Sequence, residues 1–203
     1  MMKFIEQEAK FRIRYPQKVR TRLEQLGAVL ILDHQHEMNI RFDKPDGSFK
    51  LQHKVLRLRI DQVARLTYKG AAEEGAEVSV RKEVEINVDD AEAAKAFLNS
   101  LGFQAVETYE KFRTTYHYQG LEIVLDELPF GHFVEIEGDN LDRIRAVAQA
   151  LLLDWDRRCK LSYLELFYRL NEKRGQSCPD LTFASLPASD EVEDLLDAQI
   201  ADD

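Results

Sequence analysis

Charged and apolar residues alternate along the first segment of the chain. Glu6, Glu8, Lys10 and Arg12 occupy every second position, and the intervening positions from Ala9 onward are apolar. Successive side chains of a strand point to opposite faces, so this segment predicts a strand with one core-facing side and one charged side. A single charged face is ordinary, but several converging ones would not be.

The same alternation recurs in later segments, so the pattern predicts about seven short strands, each with ionisable residues in period two on one face. The ionisable positions in these later segments are Arg57, Arg59, Arg65, Lys69, Arg81, Glu83, Glu85, Lys111, Arg113, Asp126, Glu135 and Glu137.

Helical spacing of apolar residues separates groups of these strands. Helices are predicted over 16–26, with Pro16 in the first turn, and over 90–101 and 141–153. A fourth follows Ser162, with Glu165 in the capping-box position. Helices that cover the apolar faces would leave the charged faces pointing inward.

The predicted fold is therefore of the α+β class: a closed antiparallel β-barrel with a charged lumen and helices packed outside. Buried charges that lack partners cost several kcal/mol or shift their pKa values, so the charges of such a lumen should pair with one another or bind a ligand.

Composition divides the chain unevenly. The 203 residues carry a net charge of −9 and are 44% hydrophobic. The segment 175–203 has eight Asp and Glu residues and no Lys or Arg, so the remainder is nearly balanced. We predict one domain over 1–174 and an acidic C-terminal tail over 175–203, partly ordered or helical. The balanced body argues against a nucleic-acid-binding surface.

Neither a membrane span nor a signal peptide is predicted, since no run of about 18 apolar residues exists and the first segment is charged. We expect a cytoplasmic protein, as a monomer or homodimer. Cys159 and Cys178 do not form a zinc pattern, and a reducing compartment disfavours a disulfide. Trp155 is interpreted as a core residue.

The ionisable faces indicate a chemistry. Arginine suits bidentate contact with phosphate oxygens, and the cations exceed what one phosphate needs. The carboxylates supply only hard oxygen ligands, which favours Mg²⁺ or Mn²⁺. A metal–triphosphate site follows, with a small-molecule triphosphate as substrate.

The motifs, taken together, resemble the CYTH superfamily, the triphosphate tunnel metalloenzymes, which join class IV adenylyl cyclases and thiamine triphosphatases; the class IV adenylyl cyclase-like branch is nearest. The resemblance implies an eight-stranded antiparallel tunnel, divalent-metal dependence and cleavage of a triphosphate. It spans roughly Lys3 to Arg169 and rests on Glu6-x-Glu8-x-Lys10, Leu56-Arg57-Leu58-Arg59, Thr67-Tyr68-Lys69-Gly70, Glu83-x-Glu85, Glu110-Lys111-Phe112-Arg113, Leu125-Asp126 and Gly131-His132-Phe133-Val134-Glu135-Ile136-Glu137.

The resemblance also implies roles for individual residues. The metal-binding acids are Glu6, Glu8, Asp126, Glu135 and Glu137. The phosphate-binding and catalytic cations are Lys10, Arg57, Arg59, Lys69, Lys111 and Arg113. A further substrate-binding set is Arg12, Arg41, Arg81, Glu83 and Glu85, of which the last three could instead pair across the lumen. Arg41 lies in Asn39-Ile40-Arg41-Phe42-Asp43, where many relatives have Asp-x-Tyr-Phe-Asp.

Three activities remain open at this stage. A cyclase would direct the ribose 3′-oxygen at the α-phosphate of ATP and release pyrophosphate. A hydrolase would direct water at the terminal phosphorus of tripolyphosphate, a nucleoside triphosphate or thiamine triphosphate. A binder of polyphosphate or nucleotide would need the cations but not the acids.

Overall fold

Eight antiparallel strands close on themselves in a ring. The computed structural model describes residues 5–73, 75–175, 177–186 and 190–203. The strands are β1 (Ile5–Ile13), β2 (Val29–Asp43), β3 (Val55–Ile60), β4 (Ala64–Lys69), β5 (Ser79–Val88), β6 (Gln104–Tyr118), β7 (Leu121–Leu128) and β8 (Gly131–Gly138). Around the ring the strand order is β1-β5-β4-β3-β2-β6-β7-β8, and β1 closes it by pairing with both β5 and β8.

The four predicted helices are confirmed as α1 (Pro16–Gln25), α3 (Ala91–Ser100), α4 (Leu141–Ala150) and α5 (Tyr163–Arg174). Their ends follow local chemistry: Asp90 and Asn140 accept hydrogen bonds at the N-termini of α3 and α4, and Ser162 forms a capping box with Glu165. No described helix is long and apolar enough to cross a membrane. The helices are α1 (Pro16–Gln25), α2 (Ser48–Leu51), α3 (Ala91–Ser100), α4 (Leu141–Ala150), α5 (Tyr163–Arg174) and α6 (Asp190–Leu195), with a 3₁₀ helix at Trp155–Arg157.

Strand β2 is the element that alternation did not reveal. Its first residues, from Val29 to Leu32, are apolar without a break, and its register with β6 shifts between Leu30 and Leu32 and again before Gln35. Such irregularities break the period of two on which strand prediction rests.

The apolar strand faces meet the helices. Phe11, Ile123 and Ile136 are fully buried and cluster with residues of α1 and α4, and Leu58 clusters with residues of α3. The polar faces are thereby left to the interior of the ring, which is the arrangement that the sequence predicts for its charged side chains.

Part of the segment 175–203 packs against α5. Leu181, Leu186, Val192 and Leu196 are buried in one cluster with Phe167. The extreme C-terminal segment also hydrogen-bonds to β1, since the Ala201 amide donates to the carbonyl of Arg12 at 2.8 Å. The division of the chain into a body and a tail stays a prediction.

Candidate functional site

A deep cavity opens into the interior of the ring. Its empty volume, open mouth included, is about 950 Å³, and among the described residues nine cationic and three acidic side chains line it. A lining with this excess of positive charge complements a small polyanion. The cations are Lys10, Arg41, Arg57, Arg59, Lys69, Arg81, Lys111, Arg113 and Lys160, and the acids are Glu8, Glu135 and Glu137.

Strand register brings the acids together. Glu8 lies opposite Glu137, and Lys10 lies opposite Glu135, across the β1–β8 pair. Directly opposed residues of an antiparallel pair share a face, so the alternation of each strand places all of these side chains inside the ring.

The acidic cluster consists of Glu8, Glu135 and Glu137, each of which offers a carboxylate oxygen within 4.8 Å of the others. Burial and the neighbouring Glu135 charge raise the pKa of Glu8. Although burial alone would raise the pKa of Glu135, Lys10 and Arg113 hold it well below its usual range. A divalent cation would relieve the repulsion among the three carboxylates. Their hard oxygen donors fit Mg²⁺ or Mn²⁺.

Lys10 is held at the edge of the acidic cluster. Its Nζ lies 3.5 Å from a Glu8 oxygen and 3.3 Å from a Glu135 oxygen, and it donates to the Leu161 carbonyl at 3.3 Å. Burial opposes the charge, but the two carboxylates outweigh it and raise the pKa of Lys10. The ammonium group also lies 4.3 Å from the centre of the Tyr163 ring. Lys10 is therefore a fixed cation beside the acidic cluster.

Asp126 is surrounded by donors. Its carboxylate accepts from Lys111 Nζ at 2.9 Å, from Arg113 Nε at 2.7 Å and Nη2 at 2.6 Å, and from the Tyr163 hydroxyl at 2.9 Å. The side chain of Asp126 is 0% exposed. Arg113 Nη2 also reaches a Glu135 oxygen at 2.6 Å, which links Asp126 to the acidic cluster. In this geometry Asp126 orients two cations, and its role as a metal ligand stays a prediction.

Arg57 and Arg59 extend the cationic wall along β3. Arg57 donates from Nη1 to the Tyr109 hydroxyl at 3.3 Å and from Nη2 to Thr67 Oγ1 at 3.2 Å. Burial and the Arg57 charge lower the pKa of Arg59. The Nε atoms of Arg41, Arg57 and Arg59 are buried without a hydrogen-bond partner in the described part of the chain. Buried donors left unsatisfied cost about 1–3 kcal/mol each, and a bound anion would satisfy them.

The acids of β5 pair with cations of β3 and β4. Glu83 lies 2.6 Å from Lys69 Nζ, and Glu85 accepts from the Thr67 hydroxyl at 2.8 Å and lies 3.8 Å from Arg57 Nη2. These contacts join neighbouring strands, since Lys69 lies opposite Glu83 and Thr67 opposite Glu85, so the pairing of the two glutamates with Arg81 across the lumen stays a prediction. Arg81 lines the cavity beside them.

One predicted residue, Arg12, is placed differently, and the placement of a second, Glu6, stays a prediction. Arg12 is buried, but its Nη1 donates to the Ala198 carbonyl at 3.1 Å, and it does not line this cavity. The side chain of Glu6 lies outside the described residues; its backbone lies opposite Arg81.

Four residues of the site were missed from the sequence: Glu37, Tyr109, Lys160 and Tyr163. Glu37 has the same parity as Arg41 on β2, but that strand was not recognised. Tyr109 precedes Lys111 by two positions on β6 and so shares its face, a signal that was present. Nothing local marks Lys160, and the sequence indicates only a capping and packing role for the segment that contains Tyr163, because α5 and its preceding turn reach the cavity only through the tertiary fold.

Glu37 is an acidic residue inside the ring that forms ion pairs with three cations. Its carboxylate lies 3.6 Å from Arg59 Nη1, 3.7 Å from Lys111 Nζ and 4.0 Å from Arg113 Nε. Burial alone would raise its pKa, but these cations outweigh it and lower the pKa of Glu37 to about 2. Glu37 therefore offsets part of the excess positive charge of the unliganded interior.

Glu37→Gln is expected to reduce stability in a pH-dependent way. Because its folded pKa is depressed, Glu37 stabilises the fold fully above its ordinary value of 4.5, and that contribution is lost as the pH falls toward about 2. Urea unfolding at pH 6 should show a loss on the order of 3 kcal/mol in the variant. The gap between the two proteins should shrink by roughly half at pH 3. A pH-independent gap would contradict this role.

The fold and the cavity together define a class: a closed antiparallel ring whose interior holds a cation-lined cavity next to a cluster of hard oxygen ligands. Residues 5–162 match the family model of the CYTH domain, and the chain belongs to this family.

Relatives agree with this assignment. The chain is 30% identical over 173 residues to a protein of Methanocaldococcus jannaschii named "Putative adenylate cyclase", covering 80% of this chain and 98% of that protein. A Vibrio parahaemolyticus structure with the same name superposes with a TM-score of 0.74 at 23% identity, over 82% of this chain and 99% of the other. A Hippeastrum protein named as a putative adenylyl cyclase, with a dominant triphosphatase activity, has a TM-score of 0.62 at 20% identity, over 86% and 98%. These two structures support the fold.

Proposed function

We propose that the chain is a divalent-metal-dependent enzyme that cleaves a triphosphate inside the ring, which then serves as a tunnel-like active site. The observation that carries this proposal is the convergence of nine cations on a cavity that also contains the Glu8, Glu135 and Glu137 cluster. The cations alone would suffice for binding a polyanion. Carboxylates in the same cavity would repel its phosphates unless a metal ion lay between them, and this favours an enzyme over a simple binder.

The acidic cluster is the proposed holder of Mg²⁺ or Mn²⁺, with Glu6 and Asp126 as further predicted ligands. When bound, such an ion polarises phosphate oxygens and neutralises the charge that develops on them. The chain's own residues would do the positioning. Arg57, Arg59 and Arg113 would bind the phosphate oxygens through their forked donors, and Lys10 would fix the end of the substrate nearest the acids.

The electrostatic environment of these cations is preorganised. Asp126 fixes the orientation of Lys111 and Arg113, and Thr67 and Tyr109 fix that of Arg57. Groups that are already aligned need no reorganisation as negative charge builds on the leaving pyrophosphate or phosphate. Lys69 and Arg81 line the cavity and would contact the outer phosphates.

The reaction depends on which phosphorus meets the nucleophile. With the α-phosphorus of ATP next to the ribose 3′-oxygen the products are cyclic AMP and pyrophosphate. With the terminal phosphorus next to water the product is orthophosphate. The names of the Methanocaldococcus and Vibrio relatives favour the first reaction, and that of the Hippeastrum protein favours the second. The shared fold does not decide between them, because one fold hosts different chemistries.

The deciding experiment incubates the protein separately with ATP, tripolyphosphate and thiamine triphosphate, each with Mg²⁺, Mn²⁺ or EDTA. Products are resolved by phosphorus NMR. Cyclic AMP with pyrophosphate would establish a cyclase, and metal-dependent orthophosphate release would establish a triphosphatase. Saturable binding without turnover under any metal condition would overturn the enzyme proposal in favour of a non-catalytic binder.

A further inference from the structure

A second charged cluster lies outside the cavity, on the connection between β4 and β5. The Glu77 carboxylate accepts from Trp155 Nε1 at 2.7 Å and from Arg145 Nη2, and it lies 3.5 Å from Arg158 Nη2. Arg145 belongs to α4, whereas Trp155 and Arg158 belong to the 3₁₀ helix and its C-cap. These four side chains, here called the Glu77 clasp, join three separate parts of the fold.

Aromatic and backbone contacts tighten the clasp. The guanidinium carbons of Arg145 and Arg158 lie 5.0 and 4.7 Å from the centre of the Trp155 ring. Arg158 Nε donates to the Glu77 carbonyl at 3.1 Å, and Lys160 Nζ donates to the Ala76 carbonyl at 3.2 Å. The two chain segments are thus held together by side chains and by backbone.

Both clasped segments continue directly into the cavity wall. Ser79 and Arg81, two and four positions after Glu77, line the cavity, as do Cys159 and Lys160 directly after Arg158. Arg81 and Lys160 carry like charges toward the same space, and like charges repel in the absence of an anion. Backbone pairing already joins both segments to β1, through Ser79 opposite Glu8 and Cys159 bonded to Lys10, and the clasp adds a direct side-chain link between the two segments.

We propose that Glu77 is a positioning residue for the anion site: by clasping Arg145, Trp155 and Arg158 it fixes the segments that carry Arg81 and Lys160 relative to each other. This inference deepens the proposed function and rests on it. The clasped segments carry Arg81 and Lys160, whereas the acidic cluster and Lys10 lie on β1 and β8. Loss of the clasp should therefore weaken binding of the outer phosphates and leave the chemical step nearly intact.

The test compares Glu77→Gln with Glu73→Gln, an exposed acid on the same connection. Calorimetry gives the Kd for tripolyphosphate, kinetics give KM and kcat, and amide hydrogen exchange follows 76–82 and 155–162. For Glu77→Gln we expect Kd and KM to rise roughly three- to tenfold with kcat within about twofold, as for loss of a partly exposed ion-pair group. Amide hydrogen exchange should become faster in both segments. The fluorescence emission of Trp155, the single tryptophan of the chain, should change. Glu73→Gln should match the parent protein.

Trp155→Phe keeps an aromatic ring but removes the indole N–H that donates to Glu77, so it should shift Kd and exchange in the same direction if Glu77→Gln fails to fold. An unchanged Kd in Glu77→Gln, or unchanged amide exchange in either segment, would overturn the positioning role of Glu77. A fall in kcat alone would also overturn it. Tripolyphosphate binding without turnover in the parent protein would overturn only the proposed function. Absence of binding in the parent protein would overturn both.

Discussion

Glu137→Gln is expected to abolish nearly all metal-dependent turnover, by roughly 10²–10³-fold in kcat, while the fold stays intact. Glu137 contributes one of the converging oxygens of the acidic cluster, and its side chain is half-buried at the end of β8. Glutamine keeps the shape but removes the negative charge that a divalent ion needs. Steady-state kinetics at increasing Mg²⁺ and Mn²⁺, together with urea unfolding of the same preparation, measure both parts of the prediction.

The matched control for this change is Glu92→Gln. Glu92 lies on α3 outside the ring, its side chain is 80% exposed, and it pairs with Lys95 on the same helix. The control should keep full activity and its metal dependence. Full activity in Glu137→Gln at every metal concentration would contradict the assignment of the acidic cluster as the metal site.

Which strand residues face the interior of the ring was largely predictable from the alternation of charged and apolar positions. On β1 the alternation of Glu8 and Lys10 with Ala9 and Phe11 fixes which side chains enter the cavity, because a strand has a strict period of two. The helices were predictable for a similar reason, since caps such as Ser162 are local signals. These features depend on residues a few positions apart.

The remainder depends on tertiary placement. Arg12 has the parity of Lys10 but meets the C-terminal segment, because the end of β1 extends beyond the cavity. Trp155 was interpreted as a core residue; it does pack partly against the core, but its indole N–H binds Glu77 from a connection 78 positions away. Neither outcome is encoded in a local pattern. Glu37 was not predicted as a site residue because the irregular register of β2 prevented recognition of that strand.

Asp126→Asn is expected to cause the largest loss of stability, about 3–5 kcal/mol, because it removes a buried carboxylate that two buried cations share. Lys111 and Arg113 are both nearly fully buried and both donate to this carboxylate. The asparagine amide nitrogen would also be a hydrogen-bond donor facing the donors of Lys111 and Arg113. Urea unfolding at neutral pH measures the loss directly, and calorimetric titration with Mn²⁺ shows whether metal affinity changes with it.

Asp33→Asn provides the matched control, because Asp33 forms a two-point pair with Arg20 at 2.9 and 3.1 Å on the surface. The side chains of this pair are 31% and 49% exposed, so the same chemical change should cost only about 0.2–1 kcal/mol. Burial, not the pair geometry, then accounts for the difference between the two variants. If Asp126→Asn kept its stability and lost Mn²⁺ affinity as Glu137→Gln does, Asp126 would be a metal ligand rather than the anchor of Lys111 and Arg113.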